Sequence, residues 1–353
     1  MASLKDVSRL AGVSPSTASR VMTGNVRVDE RTRSRVLAAV EQLRYKPNLL
    51  ARGLRKQSGR LIGLMVPEIL HETFAIFISL VEEACVERGF TMILGNTRDD
   101  LVVEERVLDN LIGLKVDGII VSLVSDRSAV MSSLRKSDIA VVGIDRAVED
   151  EHVDRVQIDN REAGRIAARY LHSMGHRRIA CIAGPQSVAL SRKRSAGFRE
   201  YLIQRGIEPI SIAGADFEFE TGMTCLRALL ERGEEFTAVW AQNDLLAIGA
   251  MRELDRLGIR VPEDVSIMGM DDIKTTRMVL PALTTVRQPF RAICQKAVEL
   301  LLRRMENPGS PPRSTVLTPE LVIRGSVRRQ QDPPIAFPGR ASGKRSPQSR
   351  RTT

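Results

Sequence analysis

From Leu61 onward the chain alternates short apolar runs with amphipathic helical stretches. That alternation restricts the fold more than any other feature. LIGLMV (61–66), FTMIL (90–94), DGIIV (117–121) and IAVVGI (139–144) have the length and composition of buried strands, with helical patterns near 73–88, 101–113 and 127–135. A second series follows: IACIAG (179–184), TAVWAQ (237–242) and VSIMG (265–269), with helices near 161–174, 191–205, 221–232 and 244–257. Parallel strands need crossover connections, usually helices, so strand–helix alternation predicts parallel sheets with helices on both faces. Two such series predict two lobes with a cleft between them. In these sheets ligands bind outside the carboxyl ends of the strands.

The first sixty residues have a different pattern. Leu4, Val7, Leu10 and Ala11 fall on one helical face. Gly12 can take the positive φ that ends a helix, Ser14 can cap the next, and Pro15 suits a first helical position. The second helix is expected from Pro15 to Met22, with Ala18, Val21 and Met22 inward and Ser16, Thr17, Ser19 and Arg20 outward. A third is expected from Glu30 to Leu43, with Val36, Val40 and Leu43 closing a small core. Two short helices joined by a tight glycine turn form a helix-turn-helix, whose second helix enters the major groove of DNA. The outward residues fit that use. Arg20 can form two hydrogen bonds to guanine, and Ser16 can bond any base edge. Pro15 can contribute apolar contact, while Thr17 and Ser19 suit phosphate oxygens. Ser14 belongs to the same contacting set.

Charge supports this division. Residues 1–60 carry a net +9 and residues 328–353 a net +6, while the stretch between them carries −5. A basic head on a slightly acidic body suits a polyanion partner. No run of apolar residues is long enough for a membrane span, and the N-terminus shows no apolar signal core, so a cytoplasmic protein with no membrane partner is expected. Cys85, Cys181, Cys225 and Cys294 lie far apart and read as reduced thiols. His172 and His176 are four apart, but Gly175 lies between them and no third ligand is near, so no metal and no cofactor are expected. The chain has no phosphate-cradling G-x-x-x-x-G-K motif and no evident nucleophile with its base, so it does not read as an enzyme.

Between head and body lies Asn48-Leu49-Leu50-Ala51-Arg52-Gly53-Leu54-Arg55-Lys56. Asn48 can cap a two-turn helix there, marginal alone because nucleation is costly. This segment is expected to order on DNA. Leu54 is the apolar member of a basic run, the composition of a minor-groove wedge, and Asn48, Ala51 and Arg52 are assigned to the DNA-binding set with it. At the expected strand ends of the body stand Asp145-Arg146, Asp159-Asn160, Asn243-Asp244 and Asp271-Asp272, with Arg192 and Arg194 after Gly184-Pro185. Acids and amides beside an arginine can grip hydroxyl groups, and Phe74 or Phe217 can cover an apolar face.

The string LKDVSRLAGVSPSTASRVMTGN, followed by VDERTRSRVLAAVEQLRYKPN, resembles the head of the lactose/galactose-repressor (LacI/GalR) family, nearly continuously from Leu4 to Leu54. In the body, IDN-x-x-AG (158–164), GHRRIACIAGP (175–185), RSAGF (194–198), NDLLAIGAM (243–251) and PEDVSIMGMDD (262–272) through PALTTVRQP (281–289) carry the resemblance on. It implies a body of the periplasmic-binding-protein type I fold. Pro15, Ser16 and Arg20 match the family's base-reading positions, and Leu54 matches its minor-groove leucine. Asp159, Arg194, Asn243 and Asp271 match effector-contacting positions, Phe217 an aromatic that stacks on the ligand, and Thr73 and Phe74 a further contact segment. The segment Glu68 to Phe74 lacks the Asn often seen in sugar-binding members, and Arg192 beside Arg194 suits a sugar acid or phosphate.

The expected organisation is a helix-turn-helix DNA-binding domain over 1–46, a hinge helix and linker over 47–60, a two-lobed doubly wound effector-binding and dimerisation domain over 61–328, and a disordered basic tail over 329–353. The expected function is a repressor, a homodimer on a palindromic operator in double-stranded DNA, whose affinity a small molecule controls. A sugar or sugar derivative is the expected effector, with a purine as the alternative.

Overall fold

A computed structural model describes residues 2–22, 28–45, 59–125, 129–137, 139–146 and 152–330. The chain divides into two compact units at Arg60/Leu61. The hinge residues Asn48, Ala51, Arg52 and Leu54, and residues 331–353 of the expected tail, lie outside the described residues.

The first unit holds helices α1 (Leu4–Leu10), α2 (Pro15–Met22) and α3 (Glu30–Gln42). Ser3 and Asp6 form a reciprocal capping box on α1, which satisfies two otherwise orphaned N–H groups. Gly12 turns the chain at φ +64°, and Arg35 of α3 donates to its carbonyl at 3.3 Å. Asp29 caps α3 by accepting from the Thr32 amide at 2.9 Å. Val7, Ala11, Ala18, Val21, Val36 and Ala39 are buried together, with Leu4, Met22, Val40 and Leu43 packed around them. Leu10 departs from the expected inward face and is 47% exposed. A seven-residue helix packed on two neighbours buries only a narrow stripe, here Val7 and Ser8 with Ala11 at the C-cap, and Leu10 falls at its edge.

Among the described residues, the second unit contains two six-stranded sheets. The first comprises β1 (Leu61–Val66), β2 (Thr91–Asn96), β3 (Gly118–Val121), β4 (Ala140–Ile144), β5 (Asp154–Ile158) and β11 (Ser314–Leu317), in the order β11-β5-β4-β3-β1-β2, all parallel. The second comprises β6 (Ile179–Ala183), β7 (Ile210–Ala213), β8 (Ala238–Ala241), β9 (Ser266–Asp271), β10 (Thr284–Arg287) and β12 (Glu320–Val322), in the order β12-β10-β9-β8-β6-β7. The helices between are α4 (Glu72–Glu87), α5 (Leu101–Gly113), α6 (Val130–Arg135), α7 (Asn160–Ser173), α8 (Ala189–Ile203), α9 (Phe219–Glu231), α10 (Asp244–Arg256) and α11 (Phe290–Glu306). The central strands are buried along their whole length, as continuous apolar runs covered on both faces require.

The two strand–helix series build two lobes, but each lobe is not one continuous stretch. After β10 the chain returns to the first lobe, where α11 packs on α4, β3, β4 and β5 and β11 pairs with β5. It then crosses back to add β12, antiparallel, beside β10. The sequence patterning missed this because β11 and β12 are short and half-exposed edge strands, with no continuous apolar run to mark them. Asp154 fastens the return: its carboxylate, fully buried, accepts from Arg303 Nη2 at 2.8 Å, from Arg304 Nε at 2.8 Å and from the Arg313 amide at 2.8 Å.

Two glycine pairs bring helices into backbone contact. A Cβ on Gly164 of α7 would stand 2.1 Å from the Arg194 carbonyl oxygen of α8, and one on Gly197 of α8 would stand 1.9 Å from the Arg161 carbonyl oxygen of α7. Gly222 of α9 and Gly249 of α10 repeat the arrangement, at 2.2 Å from the Leu246 oxygen and 2.0 Å from the Phe219 oxygen. Only glycine permits so close an approach. Three of these glycines stand in the motifs AG (163–164), AGF (196–198) and IGA (248–250).

All four cysteines are free and buried, and burial pushes the Cys181 and Cys294 thiols up to about 12. His176 is buried with both ring nitrogens engaged, by Thr237 Oγ1 at 2.8 Å and the Arg328 carbonyl at 3.1 Å. No described helix is long and apolar enough to cross a membrane.

Candidate functional site

In the first unit, α2 presents a polar outer face. Ser14 caps the helix, accepting from the Thr17 amide at 3.1 Å, and its hydroxyl meets those of Ser16 at 2.8 Å and Thr17 at 2.9 Å. Ala18 and Val21 are buried, which turns Pro15, Ser16 and Arg20 outward; Thr17 and Ser19 are half-buried at the edges of that face. A buried inner stripe thus fixes the rotation of a short helix; of the four residues expected outward, Ser16 and Arg20 are exposed and Thr17 and Ser19 are only half-exposed.

In the second unit, the carboxyl ends of both sheets converge on a narrow cleft with a free volume of about 20 Å³, room for about one water, so a ligand enters it only if side chains or lobes move. Of the expected effector residues, Thr73, Phe74, Arg194, Phe217, Asn243 and Asp271 line it. Asp159 and Arg192 do not. Asp159 caps α7, its carboxylate accepting from the Glu162 amide at 2.8 Å. Arg192 is exposed on α8 and donates to the Gln186 carbonyl at 2.7 Å. The helical period explains the second case. Arg192 and Arg194 are two residues apart and therefore point to different sides of a helix, and Arg194 is the one turned into the cleft. The lining also includes His71, Asp145, Arg146, Leu190 and Gln288. Asp145 and Arg146 stood among the polar residues after strands. His71, Leu190 and Gln288 gave no sequence signal, because what places them is the meeting of two lobes.

The polar pairs at the strand ends divide their labour. Arg194 is held on three sides: Nε donates to Asn160 Oδ1 at 2.8 Å, Nη1 donates to the Gln242 carbonyl at 2.6 Å, and Nη2 lies 3.9 Å from Asp271 Oδ1. The glycine contact between α7 and α8 sets this geometry, since it brings Asn160 of α7 beside Arg194 of α8. Asp271 also accepts from Gln288 Nε2 at 2.7 Å and from Thr73 Oγ1 at 3.1 Å. Burial pushes its carboxyl up to about 6, against the opposing pull of Arg194. Its φ of +121° is a conformation that costs a side chain on the order of 1–3 kcal/mol, held here by the surrounding bonds. Asp244 and Asp272, the second members of their pairs, are structural. Asp244 accepts from Thr285 Oγ1 at 2.6 Å and the Ile273 amide at 3.0 Å. Asp272 accepts from Arg287 at 2.7 Å and from Arg324.

Asn243 stands against His71. Its Oδ1 accepts from the Leu246 amide at 2.8 Å, so its Nδ2 faces the other way. Nδ2 donates to the Phe217 carbonyl at 2.8 Å and lies 3.2 Å from His71 Nε2. In the tautomer with its proton on Nδ1, Nε2 accepts from this amide. Burial, with the charge of Arg146, lowers the His71 pKa to about 4, so the ring is neutral near pH 7. Nδ1 is buried and has no hydrogen-bond partner among the described residues. A buried donor left unsatisfied costs about 1–3 kcal/mol, a cost that an acceptor on a bound molecule would relieve.

The aromatic walls come from opposite lobes. Phe74 belongs to α4 of the first, and Phe217 precedes α9 of the second; a Cβ on Gly184 would strike the Phe217 ring at 2.2 Å. The guanidinium carbon of Arg146 lies 5.3 Å from the Phe74 centroid and 5.2 Å from the Phe217 centroid. Outside the rings, Glu72 ties the lobes together, accepting from the Lys274 amide at 2.6 Å and from Thr275 Oγ1 at 2.5 Å. A molecule in this cleft touches both lobes, so its binding bears directly on their relative placement.

Residues 3–48 match the family described as bacterial regulatory proteins, lacI family, and residues 168–327 match the periplasmic binding protein-like domain. The chain is 35% identical to the HTH-type transcriptional repressor PurR of Photobacterium profundum over 93% of its own length and 99% of that protein, and 33% identical to PurR of Aliivibrio salmonicida over 93% and 100%. Among solved structures it is similar to a transcriptional regulator CelR–cellobiose complex (34% identity, 92% and 100% of the two chains, TM-score 0.71). It is also similar to the lac repressor dimer bound to operator and the anti-inducer ONPF (28% identity, 93% and 99%, TM-score 0.84). With its head, its two-lobed body and relatives matched along nearly their whole length, the chain belongs to the lacI family of bacterial regulatory proteins, as an effector-regulated, DNA-binding transcriptional repressor and not an enzyme.

Proposed function

We propose that the chain represses by binding a palindromic operator as a homodimer, with Pro15, Ser16 and Arg20 reading base edges and Ser14, Thr17 and Ser19 fixing position on phosphates. A two-fold dimer presents two such helices to two half-sites. The hinge set, Asn48, Ala51, Arg52 and Leu54, is assigned to the minor groove on its sequence and family position.

The effector occupies the cleft between Phe74 and Phe217. One observation carries this reading: aromatic rings from opposite lobes line one cleft with a fixed arginine, two carboxylates and the unpartnered His71 Nδ1. A flat heterocycle of the purine type fits best, because one flat guanidinium already lies within 5.3 Å of both ring centroids and the buried His71 Nδ1 faces the same cleft without a partner among the described residues. A sugar is the second reading, favoured by Asp145 and Asp271, since paired carboxylates suit hydroxyl groups. By bridging the lobes the effector favours one arrangement of the body, and operator affinity shifts by its differential binding to the two arrangements.

The test measures operator binding and melting temperature with hypoxanthine, guanine, adenine and a panel of monosaccharides and disaccharides. A ligand of the native cleft raises the melting temperature and changes affinity for a genomic duplex over random DNA. Purified protein that shows no preference for any genomic duplex, with and without each compound, refutes the proposal. Stabilisation by sugars alone selects the second reading.

A further inference from the structure

We propose that Arg146 is a specificity-determining residue of the cleft: its guanidinium lies in the effector's place beside Phe74 and Phe217, and the effector must displace it. This takes the cleft as the effector site, as proposed above.

Three observations converge. The first is position. Arg146 follows β4 in the first lobe, and its guanidinium lies over Phe74 of its own lobe and Phe217 of the other. It makes the lobe-bridging aromatic contact that a ligand of this cleft would make. The second is what holds it among the described residues. Arg194, the other cleft arginine, is fixed by Asn160, the Gln242 carbonyl and Asp271, all buried within the second lobe. Arg146 has Asp99 Oδ1 at 2.7 Å and the Val124 carbonyl at 3.3 Å. Asp99 stands at the solvent edge, its side chain 46% exposed, whereas the Arg146 side chain is 7% exposed. The arginine is thus anchored from outside while its cationic head reaches inward to the rings. The third is fit. A guanidinium is planar and stacks on aromatic faces, and a cation drawn out of water over two such faces is held by both ring quadrupoles.

Two consequences follow for recognition. A ligand's net affinity is its own interaction with the slot less that of the guanidinium it expels, so molecules that stack on both rings are favoured over those that cover one. The expelled guanidinium stays tethered near Asp99 at the mouth, so ligands that present an acceptor edge or a negative charge are favoured over cations.

The test compares the full chain with Arg146→Ala, and with Arg146→Gln should the alanine variant fail to fold. One arm uses methylguanidinium, with methylammonium as a compact cation lacking the flat face. At millimolar concentration methylguanidinium should raise the melting temperature of the variant and not of the wild type, and methylammonium should raise neither. The other arm titrates the purines and sugars named above by calorimetry. Any that binds wild type should bind the variant about tenfold more tightly, the scale of losing cation–π contacts that the ligand must otherwise disrupt. Weaker or unchanged binding by the variant overturns the proposal, since it makes Arg146 a ligand contact or a bystander. A folded variant that ignores methylguanidinium overturns it as well. If no purine or sugar binds either protein, the effector assignment fails separately, and the methylguanidinium arm still decides whether the slot is the place of Arg146.

Discussion

Replacing Gly197 by alanine tests the claim that helix contact, and not the arginine alone, builds the cleft. The added Cβ would stand 1.9 Å from the Arg161 carbonyl oxygen, where ordinary contact begins at 3.4 Å. The obstacle is helix backbone and cannot rotate away, so α7 and α8 must part by more than an ångström. Overpacking costs about 1–3 kcal/mol, and a backbone obstacle places this case at the upper end. For a body of this size, about 3 kcal/mol lowers the melting temperature by roughly 6–12 °C. The same displacement stretches the 2.8 Å bond from Arg194 Nε to Asn160, so ligand binding in the cleft should fall even where the variant remains folded. Gly113→Ala is the control. Among the described residues nothing lies within 4 Å of its added Cβ, and at the end of α5 it should be neutral or stabilise by up to about 1 kcal/mol. Thermal and urea unfolding of both variants decide the matter. Gly197→Ala melting within about 2 °C of wild type, a change below 1 kcal/mol, would refute the reasoning, because the helices would then have room the contact distances deny.

Three further outcomes are expected. Arg20→Ala should cost about 1–3 kcal/mol of operator binding and relax preference at one base pair; fluorescence anisotropy on matched and random duplexes checks this, and equal loss on both would assign Arg20 to phosphate. Asp154→Asn leaves Arg303 and Arg304 facing a neutral amide in a buried site, and breaking a buried pair costs about 3–5 kcal/mol; urea unfolding at neutral pH should show a loss on that scale, and a change under about 1 kcal/mol would make the return of α11 independent of this carboxylate. Asp271, raised to about 6 in the native state from 3.8, binds its proton more tightly folded than unfolded, so its contribution to stability falls as pH rises from about 4 to 6. Across that window wild type should lose up to about 1.4 kcal/mol per pH unit relative to Asp271→Asn, and parallel pH profiles of melting would show that Asp271 does not titrate there.

The sequence by itself determined the helix-turn-helix, through Gly12, the Ser14 cap and the buried pair Ala18 and Val21, because caps and apolar periodicity are local properties. It also determined the two strand–helix series and most of the cleft's second-lobe wall, since a polar residue directly after a buried strand sits at the sheet's carboxyl end. What it could not decide was which of two adjacent polar residues faces the ligand. Asp159 became a helix cap and Asp244 a tie to β10, while Asn243 and Asp271 entered the cleft. Arg192 and Arg194 separated in the same way, by two residues of helical rotation. The return of α11 and β11 to the first lobe, the glycine contacts that set Arg194, and the convergence of His71, Arg146 and Gln288 with Phe217 belong to tertiary structure alone. Each joins residues distant in the chain, and which of them meet depends on how two sheets and their helices pack, which no local pattern records.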